Sequence, residues 1–469
     1  MLFFLQFDRG RRNHSIEIAQ FAKQVKEQCS GRYSSDSPLK VTILGSWRDF
    51  STVDSILFSK ELAFQLAKIP DVKVTILITE CSYSENLKKV AADSRVTIVE
   101  AQEVPGFDDP IDWLYFPPQD LKTDIVVGAG ERLGKVAQVF KEFHQCKNIY
   151  ITSDPLEKHA ILLEKRRILD KQIARHEECN NIVGLSQVAD LAVALGPKMH
   201  DKLSASLSYH KKDVFKFTPG ILSEFSDVTH ATNERTNFRI LMLGGGDPDS
   251  FEQQGLHTAA EAVAELKDKS YHLFYVGAAK GKHEQFAKKF CQSGVSRSQL
   301  TIRSLPKSGE EWKRLFCEVD LAIMPSSEQG FGMVPLAALS SGLPVLVHED
   351  SGFGVALKEI NFGTSSTVDS EDANVWANAI KRVRKTERKI RLEEAALLRS
   401  KYDEKYSWEE QCRALLQKML TMVSGMNFIQ LTLSIFSLSI VTNFNQLFEL
   451  CHLVFFNSKQ VVKGLCETF

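Results

Sequence analysis

The sequence predicts an α/β fold made of two doubly wound, Rossmann-like parallel sheets that face a central cleft. Short apolar runs rich in Val and Ile alternate with amphipathic helical stretches, a pattern typical of parallel strands covered by helices on both faces. The alternation occurs twice, separated by the polar, acidic stretch 223–236, which has no hydrophobic period. A length of 469 residues also favours two domains over one. In such a pair, a ligand is expected between the domains, at the carboxyl ends of both sheets.

The first alternating run predicts a sheet in the N-terminal half. Its strands are expected at 40–44, 72–79, 96–100, 124–127, 148–152 and 188–195, with a helix at 53–67 and a long charged helix at 155–178. A polar helix at about 15–29 precedes the run. We therefore divide this half into an N-terminal helical extension, residues 1–38, and a Rossmann-like domain, residues 39–225.

The second alternating run predicts another sheet of the same kind. Its strands are expected at 238–243, 271–276, 300–303 and 319–324, followed by a buried strand up to 347. Helices are expected near 256–266, 281–291, 309–317, 371–384, 389–401 and 408–420. We assign residues 237–422 to a second Rossmann-like domain and residues 423–469 to an apolar C-terminal tail.

Composition excludes several classes of function. A net charge of −1 gives no reason to expect a nucleic-acid partner. The nine cysteines are scattered without a CxxC pair, which argues against a zinc site or a disulfide framework and favours reduced thiols in the cytoplasm. We therefore expect a cytoplasmic protein with no metal and no cofactor.

The tail differs in composition from the rest of the chain. No charged residue lies between Lys418 and Glu449, and residues 428–444 read FIQLTLSIFSLSIVTNF. Several Ser, Thr, Asn and Gln side chains make this stretch more polar than an ordinary membrane-spanning helix. A membrane anchor, a packing helix and a spurious translated extension all remain open, and membrane contact through 428–444 is the less favoured alternative.

The stretch 319–347, VDLAIMPSSEQGFGMVPLAALSSGLPVLV, carries the strongest functional pattern. It predicts a buried strand, a polar loop at 325–332 and a short helix with Pro335 in its first turn and Gly342 just past its end. A loop between the carboxyl end of a strand and a helix N-terminus is where phosphates bind, and glycines leave room for the ligand. The candidate ligand-binding residues here are Ser326, Glu328, Gln329, Gly330, Phe331, Gly332, Met333 and Val334.

Two other loops contribute candidates. After the first strand, Gly45 is followed by Arg48, which can bind a phosphate or remain a solvated surface arginine. After the strand 238–243, three glycines can offer backbone amides to a phosphate; they are Gly244, Gly245 and Gly246. Asp247 and Asp249 follow them and would repel a diphosphate unless a metal bridges the charges, so an acidic surface turn is the alternative interpretation.

These motifs resemble the family-4-like glycosyltransferases of GT-B fold. The block 319–347 is similar to the family pattern EGFGxxxxEAxxxGxPV, Ala189–Lys198 (ADLAVALGPK) is similar to the crossover strand, and Ser407-Trp408-Glu409 to the closing helix. The resemblance is best over 238–420 and thinner over 40–225. It implies a GT-B fold with the acceptor side in the first domain and the nucleotide-sugar side in the second. The implied reaction is retaining sugar transfer from a nucleotide diphosphate sugar.

The chain departs from the family pattern at the positions that contact the donor. Gln329 stands in place of the first glutamate, Ala337 in place of the second, and the loop 244–255 has no Arg or Lys. Two hypotheses follow. In the first, the chain is an unusual glycosyltransferase that binds the diphosphate with Gly244–Gly246 and the sugar with Glu328 or Gln329. A lysine or arginine of the other domain then neutralises the charge of the diphosphate. In the second, the chain is a non-catalytic ligand-sensing or scaffold module, and the loss of the usual donor contacts favours this hypothesis. Such a module can also be part of a larger multidomain protein. No residue is assigned a catalytic role.

Overall fold

The structure, a computed structural model, describes most of the chain between residues 37 and 424. The described residues are 37–45, 53–79, 91, 93–152, 181–245, 248, 251–252, 254–327 and 330–424. The helices expected at 15–29 and 155–178 and residues 425–469 of the tail lie outside these ranges. Within the described ranges, no helix has the length and apolar character needed to span a membrane.

Residues 38–415 form one compact unit that contains both sheets. Residues 1–37 and 416–469 form a separate unit, of which the structure describes Ser37 and the helical residues 416–424. Everything that concerns the candidate site lies in the first of these units.

The first sheet has seven parallel strands in the order β3-β2-β1-β4-β5-β6-β7. The strands are β1 (Leu39–Gly45), β2 (Val72–Ile78), β3 (Val96–Glu100), β4 (Ile125–Ala129), β5 (Lys147–Thr152), β6 (Leu191–Leu195) and β7 (Val214–Phe217). Every residue of β4 and β6 is buried, as expected for strands covered on both faces. The helices of this half are α1 (Val53–Ala67), α2 (Pro110–Trp113), α3 (Gly130–His144) and α4 (Gly196–Leu207).

The strand expected at 188–195 begins later than predicted. Residues 181–188 are helical, and the amide of Ala189 still donates to the carbonyl oxygen of Leu185 at 3.0 Å. The strand starts only after Asp190, whose amide donates to the Asn148 side chain at 2.8 Å while its carboxylate accepts the Asn148 amide at 2.9 Å. These two hydrogen bonds fix the start of β6 beside β5.

The second sheet has six parallel strands in the order β10-β9-β8-β11-β12-β13. They are β8 (Phe238–Leu243), β9 (Tyr271–Val276), β10 (Leu300–Arg303), β11 (Leu321–Met324), β12 (Val345–His348) and β13 (Thr367–Val368). In both sheets the strand order reverses beside the first strand, as in a doubly wound fold. The predicted fold class, two Rossmann-like parallel sheets, is confirmed.

Helices alternate with these strands and then follow them. They are α5 (Leu256–Glu265), α6 (His283–Gln292), α7 (Gly309–Glu318), α8 (Met333–Ser340), α9 (Gly352–Lys358), α10 (Ala373–Lys385), α11 (Arg388–Lys405) and α12 (Trp408–Ser424). Helix α8 ends as predicted, because Gly342 has φ +80° and its amide donates to the Leu339 carbonyl at 2.8 Å. The next amide, from Leu343, donates to the Ala338 carbonyl at 3.0 Å, which completes a Schellman ending.

Candidate functional site

The carboxyl ends of the two sheets meet, and we call this meeting place the junction. Helices α1 and α4, which follow β1 and β6, form the first-sheet side. The described residues of the loop before α8, 325–327 and 330–332, and the loop 349–351 before α9 form the second-sheet side. Contacts of α1 with α8 and of α4 with α9 join the two sides. The junction is therefore the edge at which a doubly wound pair is expected to bind a ligand.

Asp54, in the first turn of α1, reaches across the junction to the start of α8. Its Oδ2 accepts the Gly332 amide at 2.9 Å and its Oδ1 accepts the Met333 amide at 3.0 Å. Gly332 has φ +93° and no side chain with which to cap the helix, so the cap comes from Asp54, 278 positions earlier in the chain. Burial raises the pKa of the Asp54 carboxyl, and the amides of Gly332, Met333 and Val334 oppose this rise.

Phe331 fills the space beside this contact. Its side chain is buried and lies against Gly196, the first residue of α4, which has φ +78°. A Cβ added at Gly196 would lie 2.6 Å from the Phe331 ring, and one at Gly352 would lie 2.8 Å from the Phe331 Cα. Two glycines, one from each half of the unit, thus allow Phe331 to pack between α4 and α9.

Lys198, also in the first turn of α4, brings a cation to the same loop. Its Nζ donates to the Ser327 carbonyl at 3.0 Å and also to the Asp350 carbonyl. These carbonyls belong to the loops after β11 and β12, so one side chain of the first half connects two loops of the second half at the junction. A half-buried ammonium group in this position is well placed for an anionic ligand.

His348, the last residue of β12, lies next to the loop that Lys198 contacts. Its buried Nδ1 accepts the Asp350 amide at 3.1 Å. Burial lowers the pKa of His348, Asp350 opposes the lowering and Lys198 reinforces it. The imidazole is consequently neutral near pH 7 and adds no positive charge beside Lys198.

The glycine loop after β8 already has internal hydrogen-bond partners. The Gly244 amide donates to the Val276 carbonyl at 3.3 Å, and the Gly245 amide donates to Oε1 of Gln254 at 2.6 Å. The Tyr275 hydroxyl donates to the Gly245 carbonyl at 2.8 Å. A phosphate that binds these two amides therefore has to displace a carbonyl and a side-chain amide.

The same loop reaches the junction through its last glycine. Gly255 has φ +69°, and a Cβ added there would lie 2.9 Å from the amide nitrogen of Ser326. The loops after β8 and β11 are thus in close contact, as expected for neighbouring strands of one sheet. Within the described ranges, no group of three or more His, Cys, Asp or Glu side chains is arranged to hold a metal ion; Asp247 and Asp249 lie outside those ranges.

Comparison with known families identifies the class of protein. A profile described as "Family 4 Glycosyltransferase in conflict systems" matches residues 54–415, which include nearly all of both sheets. The chain belongs to this family. The predicted resemblance to family-4 glycosyltransferases is thereby confirmed.

Curated relatives of this family-4 member share less of its length. The D-inositol 3-phosphate glycosyltransferase of Corynebacterium urealyticum is 25% identical over 266 residues, which cover 54% of this chain and 59% of the relative. The enzyme of the same name from Rhodococcus erythropolis is 26% identical over 175 residues, covering 34% of this chain and 36% of the relative. The chain thus spans about half the length, or less, of these relatives.

Solved structures of similar fold cover more of the chain. Sucrose-phosphate synthase of Thermosynechococcus elongatus superposes with a TM-score of 0.61 at 14% identity, over 83% of this chain and 100% of that protein. HepE of Anabaena, solved in complex with UDP and glucose, gives a TM-score of 0.55 at 14% identity, over 81% of this chain and 99% of HepE. At this identity the similarity establishes the GT-B fold.

The structure describes nine of the predicted site residues of this family-4 member. They are Gly45, Gly244, Gly245, Ser326, Gly330, Phe331, Gly332, Met333 and Val334, whereas Arg48, Gly246, Glu328 and Gln329 lie outside the described residues. Ser326, Gly330–Gly332 and the first two residues of α8 lie at the junction, with Ser326 and Met333 buried and Val334 half-buried. Gly244 and Gly245 belong to the adjoining loop, and Gly45 ends β1 ahead of α1.

Two junction residues were not among the predicted site residues. Asp54 is the second residue of the helix after the first loop, and Lys198 is the last residue of the ADLAVALGPK motif. Their position just after a strand's carboxyl end was a usable signal, because that edge carries ligands in this fold class. Their partners, however, depend on how the two halves approach each other, which no local pattern reveals.

Proposed function

We propose that the junction binds a nucleotide diphosphate sugar or a related phosphate-bearing small molecule. The observation that carries the proposal is the Lys198 ammonium group, held 3.0 Å from the Ser327 carbonyl. A diphosphate needs a fixed cation, and the loop 244–255, where the family usually has one, contains neither Arg nor Lys. Lys198 supplies that charge from the other half of the unit.

Family membership supports this class of ligand. The family-4 profile spans the junction, and HepE, a structural neighbour, was solved with UDP and glucose. The loop 325–332 before α8 has the strand–loop–helix form that suits a phosphate. We infer that the ligand's phosphates lie between Lys198 and this loop.

We infer that the site serves ligand sensing rather than ordinary retaining sugar transfer. Ala337 is fully buried within α8 and offers no side-chain group to a ribose, in place of the family's glutamate. The Gly244 and Gly245 amides already have internal acceptors. Groups that would stabilise the charge developing on a leaving diphosphate are therefore fewer than in an ordinary member. Sugar transfer with unusual donor contacts remains the second candidate.

Calorimetric titration of the full chain with UDP-, GDP- and ADP-sugars, with and without Mg²⁺, tests the proposal. We expect binding of at least one nucleotide sugar with a Kd of about 1–100 μM. Absence of binding across the panel would contradict it. Incubation with the ligand that binds, followed by mass spectrometry, separates the two candidates, because a sensor leaves the nucleotide sugar intact and a transferase consumes it.

The role of Lys198 has its own test. Lys198→Met should weaken the binding of that ligand by about 10- to 100-fold, since a charge-assisted hydrogen bond contributes about 1.5–3 kcal/mol. Lys198→Arg keeps the charge and should retain most of the affinity. Lys202→Met, one turn further along α4, is the matched control and should bind like the wild type. Equal affinity of the Lys198→Met and Lys202→Met variants would exclude Lys198 from the site.

A further inference from the structure

An acidic side chain of the protein already occupies the helix end that faces the junction. The amides of Gly332, Met333 and Val334 open α8, and the first four amides of a helix have no partner within it. All three interact with the Asp54 carboxylate, Gly332 at 2.9 Å and Met333 at 3.0 Å. A residue of the first half thus provides the cap for a helix of the second half.

A carboxylate in this place excludes a second anion. Both groups present oxygen acceptors to the same amides, and like charges at contact distance repel each other strongly where water is excluded. A ligand phosphate and the Asp54 carboxylate therefore compete for the start of α8.

The Asp54 contact is also a costly one to maintain. Burial raises the pKa of this carboxyl despite three amide donors, so the hydrogen bonds do not fully offset the lost hydration. A carboxylate released toward water recovers that hydration. Because of this desolvation cost, a ligand needs less free energy to displace Asp54 from the amides than it would need if the carboxylate had lost no hydration.

Later turns of α1 are held independently of Asp54. Glu61 accepts the Ser223 hydroxyl at 3.2 Å, and Lys60 forms an ion pair with Glu224 at 2.7 Å. The Phe58 ring packs on Trp408 at a centroid distance of 5.6 Å. Loss of the Asp54 contact therefore frees the first turn of α1 while the rest of the helix keeps its partners.

We propose that Asp54 is an autoinhibitory latch: its carboxylate holds α1 on the start of α8, and a ligand phosphate takes its place and releases the first turn of α1. This inference rests on the proposed function, because it assumes a phosphate-bearing ligand at the junction. It adds the regulation of that site. Ligand binding is thereby converted into the loss of a contact between the two halves, which is what a sensing module requires.

Asp54→Asn is the central variant. Asparagine has nearly the same shape, but its NH₂ group cannot accept an amide hydrogen, so it retains at most one of the two bonds. Titrated with inorganic pyrophosphate, the full-length variant should bind about tenfold or more tightly than the wild type, because the internal competitor is weakened. Glu61→Gln alters another buried acid of α1, one that contacts Ser223, and should match the wild type. Equal pyrophosphate affinity of the wild type and Asp54→Asn would overturn the latch.

Hydrogen exchange of the wild type provides a second measurement that needs no variant. Saturating pyrophosphate should speed exchange of the amides of Leu57 and Phe58, which bond to carbonyls of the first turn of α1, while the amides of 332–334 stay protected. Unchanged exchange of these two amides would overturn the latch even if Asp54→Asn failed to fold. The ligand panel keeps the two ideas separate. If pyrophosphate behaves as described but no nucleotide sugar binds either protein, the nucleotide-sugar assignment in the proposed function fails and the latch stands on another phosphate-bearing ligand. If nucleotide sugars bind both proteins equally, the latch fails and the proposed function stands.

Discussion

At the scale of single residues, Gly332 is the position where backbone geometry and binding requirements coincide. Its φ of +93° is a conformation that residues with a Cβ rarely adopt, and an added Cβ would lie 3.0 Å from Cε of Met324. This geometry turns the Gly332 amide toward Asp54. The same glycine therefore shapes the loop and presents a donor at the junction.

Gly332→Ala should lower the free energy of unfolding by about 2 kcal/mol, since the φ strain and the Met324 contact both oppose the new methyl group. Urea denaturation followed by circular dichroism measures this change. Gly184→Ala is the control: Gly184 lies in the helical segment 181–188, and apart from its chain neighbours and its own helix backbone no atom of the described residues lies within 4 Å of an added Cβ. It should be neutral or stabilising by up to ~1 kcal/mol, because alanine is the better helix former. Equal effects of the two variants would contradict the strain at Gly332.

His348 predicts a pH dependence of stability. Burial holds the pKa of His348 below its ordinary value of 6.5, so the unfolded chain binds the proton more readily than the native protein. The contribution of neutral His348 to the free energy of unfolding is therefore complete above about pH 6.5. It is lost as the pH falls below that value, toward and through the pKa that His348 has in the folded protein. His348→Asn keeps an acceptor for the Asp350 amide but cannot be protonated. Between pH 7.5 and pH 5.5, the variant should lose less unfolding free energy in urea denaturation than the wild type; an equal or larger loss would contradict the assignment.

The sequence alone was sufficient to predict the residues whose roles are local. Gly342 was expected just past a helix end, and its φ of +80° confirms this. Asp54 was not predicted, because a carboxylate at a helix start usually caps its own helix rather than one 278 positions away. Residue type reports local geometry, whereas the partner of a long-range contact depends on the packing of whole elements.

At the scale of elements, a buried charge network anchors the second sheet to the segment that enters it. Asp320, just before β11, accepts the β8 amide of Arg239 at 2.9 Å and Nη1 of Arg235 at 3.1 Å. It also forms an ion pair with Arg388, the first residue of α11, and both side chains are 1% exposed. The network lies at the amino end of β11, away from the junction, so its role is to hold β8, β11 and α11 together.

Asp320→Asn should therefore destabilise the protein without altering ligand binding. Removing one partner leaves the Arg388 charge buried without its counter-ion, and such changes typically cost about 3–5 kcal/mol. Glu318→Gln is the matched control, because Glu318 pairs with Arg303 at 2.7 Å on the surface and should contribute less than ~1 kcal/mol. Thermal unfolding of the two variants measures the difference. Similar melting temperatures would show that the Asp320 network contributes little to stability.

Elements with a strong apolar pattern were predicted within a few residues of their observed bounds. Strands β8, β9 and β10 begin and end as expected. The short edge strand β7, Val214–Phe217, was not predicted: its sequence VFKF is mostly apolar, but a run of four residues is too short to show a clear period. At the start of β6, Val188 suits either state, and helical hydrogen bonding extends to Ala189.

At the scale of the whole molecule, the chain returns to its first half after completing the second sheet. The Tyr402 hydroxyl of α11 donates to the Pro219 carbonyl at 2.9 Å, and Trp408 of α12 packs against Phe58 and Phe217. These contacts hold the two sheets in one compact unit, residues 38–415. Phe58 lies on the same helix as Asp54, so α1 connects this aromatic cluster with the junction.

The fold class and the family followed from patterns repeated along the chain. The duplicated strand–helix alternation and the block 319–347 were enough to predict a GT-B, family-4-like protein. The division into domains 39–225 and 237–422 remains a prediction, since the return of α12 to α1 joins both halves in one unit. What binds at the junction also remains a proposal, because the usual donor contacts at 329 and 337 are replaced.

A crystal structure of the full chain with the nucleotide sugar that binds most tightly in the calorimetric panel tests this proposal most directly. We predict a ligand phosphate oxygen about 3 Å from Nζ of Lys198 and another at the Gly332 and Met333 amides, with the Asp54 carboxylate turned away from α8. A nucleotide bound elsewhere, or a junction in which Asp54 still holds both amides and no phosphate lies beside Lys198, would contradict it.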